Sequence, residues 1–150
     1  MSDLQDLYQE MIIDHGKAPR NFGVLEQATH CREGYNPLCG DQLTLYVEAH
    51  AGRLHALRFK GKGCAISMAS ASLMTEALEG RTLAEAEKLF ADFHLLVTDR
   101  EQAAALEEGL GKLAAFKNLS EFPMRVKCAT LAWHTLRAVL QGEEQPVSTE

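Results

Sequence analysis

The chain has 150 residues, 46% hydrophobic and 24% charged, with 15 basic against 21 acidic side chains and a formal net charge of −6. That length suits one domain burying roughly 70% of its unfolded surface, a core that needs no covalent staples. The acidic balance argues against a nucleic-acid partner, which would need a basic footprint; no apolar run approaches the ~20 residues of a bilayer span, and the N-terminus lacks a signal-peptide pattern, so a soluble, cytoplasmic protein with no membrane partner is expected.

Leu4, Leu7, Met11 and Ile12 recur at helical spacing and predict an amphipathic helix over Asp3–His15, ended by Gly16 and Pro19. A loop follows over 18–23. Thr29–Tyr35 reads as a short strand, and Asn36-Pro37-Leu38-Cys39-Gly40-Asp41 as a turn-rich loop. Leu43, Leu45 and Val47 alternate with polar residues, the period of a half-buried strand. Ala51-Gly52 turns the chain into a second strand over Leu54–Lys60, so the two form a hairpin.

Beyond Gly61-Lys62-Gly63, the Ala-, Ser- and Met-rich stretch from Cys64 to Leu78 reads as a helix closed by Gly80. Thr82 with Glu85 forms a capping box for a short helix to Phe90. Asp99 starts another helix, to Leu110. Gly109, Gly111, Asn118 and Pro123 mark a mobile connection, and Met124–Leu140 is the last helix. Strands precede helices without βαβ alternation. The expected class is α+β: a small antiparallel sheet of about three strands with helices packed on one face. The expected organisation is one domain over 1–141 and a flexible tail over 142–150.

Four cysteines are too few for a disulfide scaffold, and in a reducing compartment the thiols that matter are metal ligands or reactive groups. Three occupy unusual positions. Cys39 lies in a Pro/Gly turn two residues before Asp41, Cys64 follows a Gly-x-Gly bend at a predicted helix start, and Cys128 falls in the first turn of the last predicted helix. A helix N-terminus favours thiolate over thiol. Three thiolates and a carboxylate make a tetrahedral zinc set. Cys-x-Asp is not a zinc-finger spacing, however, and free cysteines are also common buried hydrophobes. The residue pattern leaves both readings open.

The surrounding motifs go further. Leu7–His15, Pro19-Arg20-Asn21, Asn36–Asp41, Phe59–Ser72 and Arg125–Ala129 resemble the SufU/IscU family, which includes the N-terminal domain of NifU. The resemblance implies a SufE/NifU-like fold, iron–sulfur cluster assembly, and a metal site on Cys39, Asp41, Cys64 and Cys128. IscU-type scaffolds carry a histidine before the last cysteine and a Leu-Pro-Pro-Val-Lys chaperone segment. Here Lys127 and Phe122-Pro123-Met124-Arg125-Val126-Lys127 stand in those places, and residues 98–117 look like the SufU insertion.

The SufU branch implies a zinc-dependent sulfur acceptor working with a pyridoxal-phosphate cysteine desulfurase of SufS type. Downstream iron–sulfur assembly proteins or apo-proteins would take the product. Cys39, on the most adaptable loop, is the expected persulfide acceptor, flanked by Arg125 and Lys127 to attract anionic groups. The alternative is a scaffold holding a transient [2Fe–2S] cluster on the same ligands, and a third reading is a structural zinc module. Cys31 is expected to be a bystander, His15 a helix-end cap, and Ser67, Ser70 and Ser72 packing residues. Met68 and Met74 are expected in the core, and the remaining histidines on the surface or satisfied within the core.

Overall fold

The computed structural model describes residues 3–142 and 147–148. Helix α1 spans Asp3–Lys17, and an extended loop leads to strands β1 (His30–Asn36), β2 (Asp41–His50) and β3 (Arg53–Lys62). These pair antiparallel in sequence order, with Asn36 opposite Asp41 at the closed end of β1–β2 and Leu45 opposite Phe59 in β2–β3. Alternation along β2 buries Asp41, Leu43, Leu45 and Val47 on one face and turns Gln42, Thr44, Tyr46 and Glu48 to the other. A single buried face is what period-two patterning dictates.

Helices α2 (Ala65–Leu78), α3 (Leu83–Thr98), α4 (Arg100–Leu110) and α5 (Pro123–Leu140) complete the chain, with a 3₁₀ stretch over Gly111–Glu121 between the last two. Helix α2 is buried from Ser67 through Thr75, which explains its lack of an amphipathic period. Its hydroxyls find partners: Ser70 Oγ donates to the Ala129 carbonyl and accepts from Trp133 Nε1 at 3.1 Å. Met68 and Met74 are in the core, as expected. Trp133 stacks on Phe93 with ring centroids 4.5 Å apart, and Phe116 meets Phe93 edge-on.

The α+β class, the three antiparallel strands and the capping box of Thr82 with Glu85 agree with the sequence reading. Two details do not. Helix α3 runs past Phe90 to Thr98, because Phe93, Leu96 and Val97 continue its buried stripe. The segment expected to be a mobile connection is instead packed, with Leu113, Ala114, Phe116 and Leu119 buried. Burying an apolar side chain gains roughly 1.5–3 kcal/mol, more than the ~1 kcal/mol that a glycine costs a helix. Within the tail expected to be flexible, Val147–Ser148 form a short strand, β4, parallel to β1 at Gly34 and Tyr35. An open sheet edge offers unpaired N–H and C=O groups for such an addition. Residues 143–146 and 149–150 of that tail lie outside the described residues. No described helix is long and apolar enough to cross a membrane.

Candidate metal centre

The β1–β2 connection presents the first two candidate ligands. The Asn36 carbonyl accepts from the amides of Cys39 at 3.2 Å and Gly40 at 2.9 Å. Gly40 has φ +74°, the left-handed conformation that glycine adopts without penalty. This tight turn leaves Cys39 exposed and sets Asp41, the first residue of β2, fully inside.

Cys64 caps α2. Its Sγ accepts from Ser67 N at 3.4 Å, and its own amide donates to Asp41 Oδ1 at 2.9 Å. The cap agrees with the expected helix-start position. Gly63 is required here: a Cβ on it would stand 2.5 Å from Asp41 Oδ1. Cys128 comes from α5. Because that helix begins at Pro123, Cys128 lies in its second turn and not the first, and it is 3% exposed. The expected thiolate bias from the helix end is therefore replaced by the opposite effect. Burial, with hydrogen bonds to Asp41, Cys39 and Cys64, pushes the Cys128 thiol far up.

One ligand atom each from Cys39, Asp41 and Cys128 lie within 4.8 Å of one another. Cys64 borders this trio through its amide bond to Asp41 and its contact with Cys128, but is not part of the mutual set. Tetrahedral coordination with Zn–S of ~2.3 Å puts donors about 3.8 Å apart. The trio thus needs only a small closure to fit such an ion, and Cys64, exposed and capping α2, stands at its edge. Thiolate and carboxylate donors suit zinc or an iron–sulfur unit.

Arg125 is exposed and Lys127 half-buried at the start of α5, and the Arg125 guanidinium lies 4.7 Å from the Phe122 ring centroid. Neither makes a hydrogen bond to the centre among the described residues. Cys31 is exposed on β1 and outside the cluster, its thiol pushed up by partial burial and by Glu33.

His15 is not the expected helix-end cap. It is buried, with Nδ1 2.7 Å from Ser72 Oγ, which also accepts from Arg20 N at 2.8 Å, so it ties α1 to α2. Burial, then the Arg20 charge, lowers its pKa. Asn36 was missed as a site residue. It is fully buried, and its Nδ2 lies 3.3 Å from Asp41 Oδ2 and 3.6 Å from Cys128 Sγ. Its place before Pro37 reads only as turn chemistry; the contact with α5 has no local signal. A groove of about 600 Å³ between α3 and α5 is lined by residues that include Phe90, His94, His134 and Arg137, with no cysteine among them.

Comparison with known proteins converges on one family. The model for the NifU-like N terminal domain matches residues 7–129. The zinc-dependent sulfurtransferase SufU of Bacillus subtilis (strain 168) is 37% identical over 143 residues, covering 95% of this chain and 95% of that protein. The iron–sulfur cluster assembly scaffold protein IscU of Streptococcus pyogenes serotype M1 is 36% identical, covering 94% and 87%. Among solved structures, a putative iron–sulfur cluster assembly scaffold protein for the SUF system from Fervidobacterium islandicum AW-1 superimposes with a TM-score of 0.79 at 34% identity. It covers 91% of this chain and 98% of the other.

Proposed function

The chain belongs to the family of NifU-like N-terminal domains, and from that premise we propose that it accepts sulfur from a cysteine desulfurase at a zinc centre and so serves iron–sulfur cluster assembly. The carrying observation is the convergence of Cys39, Asp41 and Cys128, with Cys64 at their edge. Cys39, Asp41, Cys64 and Cys128 would hold the ion. Bound zinc supplies a positive charge that keeps these thiols deprotonated and ordered.

Cys39 is the acceptor. It is exposed, and among the described residues its Sγ receives no N–H donor, whereas Cys64 accepts from Ser67 N and Cys128 from Asn36 Nδ2. A thiolate without N–H donors keeps the most electron density for attack. The Cys39 thiolate attacks the terminal sulfur of the desulfurase persulfide. A new S–S bond forms at Cys39 Sγ, the bond to the desulfurase cysteine breaks, and that cysteine leaves as a thiolate, with no net oxidation. Arg125 and Lys127, both near the start of α5, attract the anionic donor. The site operates in the cytoplasm, and the sulfur passes to downstream assembly proteins or apo-proteins.

Incubation with a pyridoxal-phosphate cysteine desulfurase and cysteine, followed by intact mass and peptide mapping, tests this reading. One added sulfur on the Cys39 peptide is expected; sulfur found elsewhere, or nowhere, overturns it. The scaffold alternative is favoured by the relative named IscU, which aligns over most of the chain. It predicts brown protein with labile iron and sulfide instead of colourless protein with one tight zinc.

A further inference from the structure

We propose that Asn36 is the positioning residue of this centre, holding Asp41 and Cys128 together through its carboxamide and shaping the Cys39 loop through its main chain. The inference rests on the zinc reading above and adds to it a residue outside the ligand set. Asn36 closes the β1–β2 hairpin opposite Asp41, and its side chain is 0% exposed. Its Nδ2 faces Asp41 Oδ2 at 3.3 Å and Cys128 Sγ at 3.6 Å, across 92 residues of chain. Its carbonyl receives the amides of Cys39 and Gly40. One residue therefore bears on three of the four candidate ligands.

The other end of the amide is the informative part. Asn36 Oδ1 is buried and has no hydrogen-bond partner among the described residues. A fold rarely leaves a buried carbonyl oxygen unpaired. Flipping the amide would turn this oxygen toward a carboxylate and a sulfur, both electron-rich. The orientation with an orphaned acceptor keeps both N–H groups on the ligands. The chemistry of the site explains why that matters. Three thiolates and one carboxylate bring more negative charge than a divalent ion cancels, and in a buried place the surplus is stabilised only by nearby N–H dipoles. Asp41 also receives the Cys64 amide, and Cys64 the Ser67 amide. Cys128 depends on Asn36 for its N–H donor among the described residues. Asn36 thus makes Cys128 a fixed anchor and leaves Cys39 as the ligand that can depart.

Zinc competition against a chromophoric chelator, with cobalt substitution as a spectroscopic readout, tests the role on the full chain. Asn36→Asp keeps the shape and removes both donors; Asn36→Ser keeps one small donor and carries the test if the first variant does not fold. Zinc affinity is expected to fall about 10–100-fold, as for other outer-sphere partners of metal ligands, more in Asn36→Asp than in Asn36→Ser. The cobalt thiolate charge-transfer band should move with it. Folded variants that compete for zinc within about threefold of the parent, with the parent's cobalt band, overturn the proposal. Failure of the parent chain itself to take up zinc would sink the underlying reading instead, so the two failures are distinguishable.

Discussion

At the residue scale, the centre separates exposed from buried candidate ligands, and under the zinc reading that separation assigns tasks. Cys39 sits on an open turn whose removal from the sulfur chemistry should not disturb the core. In the zinc-free protein, Cys39→Ser is expected to melt within about 1–2 °C of the parent, since an exposed loop substitution changes stability by less than about 0.5 kcal/mol. It is also expected to lose all stimulation of desulfurase turnover. Retained stimulation would remove Cys39 from the acceptor role. Gly63 is a sharper probe of Asp41. A methyl group there meets Asp41 Oδ1, so Gly63→Ala must displace the carboxylate or the bend. Zinc extraction by chelator should accelerate at least about tenfold; unchanged extraction kinetics would show that Asp41 does not depend on this close approach. Residue types and motifs made the four candidate residues stand out in sequence, because each lies in a distinctive local word, and the structure brings Cys39, Asp41 and Cys128 together. Asn36 was not legible as a site residue, because its role depends on a sulfur 92 positions away.

At the element scale, the centre is the meeting point of a hairpin end, a helix cap and the second turn of another helix. Its geometry therefore depends on how β1 lies against α5. Gly34 controls that approach: a Cβ there would overlap Thr135 Oγ1 and crowd Leu131 Cδ1. Gly34→Ala is expected to destabilise the fold by about 1–3 kcal/mol, the usual cost of overpacking. It should also lower zinc affinity, because it pushes the Asn36–Asp41 strand ends away from Cys128. Denaturant melts and chelator competition on the same samples check both effects; loss of stability with unaltered affinity would show that the centre tolerates sheet displacement. The strands and most helices were readable from periodicity and caps, which are local properties. The 3₁₀ stretch was not, since its glycines signal a break while the burial that holds it comes chiefly from α4, α3 and α1.

For the molecule as a whole, the proposed zinc centre would make metal binding and folding one linked equilibrium, since no unfolded chain presents these side chains together. Zinc at 100 times its dissociation constant should add about 2.7 kcal/mol of stability, read as a rise in melting temperature that a chelator reverses. Protons act on the same balance from the far side of α2. His15 has a folded-state pKa below its ordinary 6.5, chiefly through burial, and His134 is lowered by the same cause. The unfolded chain then binds these protons more readily than the folded one. Their contribution is present above pH 6.5 and is lost as pH falls through that value toward the folded pKa. Melting temperature of the zinc-free protein should drop from about pH 7 to about pH 5. The drop should be shallower in His15→Gln, and an identical slope in that variant would exclude His15 as a contributor.

The amino-acid order alone determined the α+β class, the three antiparallel strands, the helix caps, the candidate ligands and the family, because patterning, capping and motif words are written within a few residues. Only tertiary structure decided that Cys128 is a buried thiol in a second turn, that His15 bridges two helices and that Asn36 faces two ligands. Those outcomes arise from contacts 57 and 92 residues apart, where burial and partner geometry outweigh any local preference.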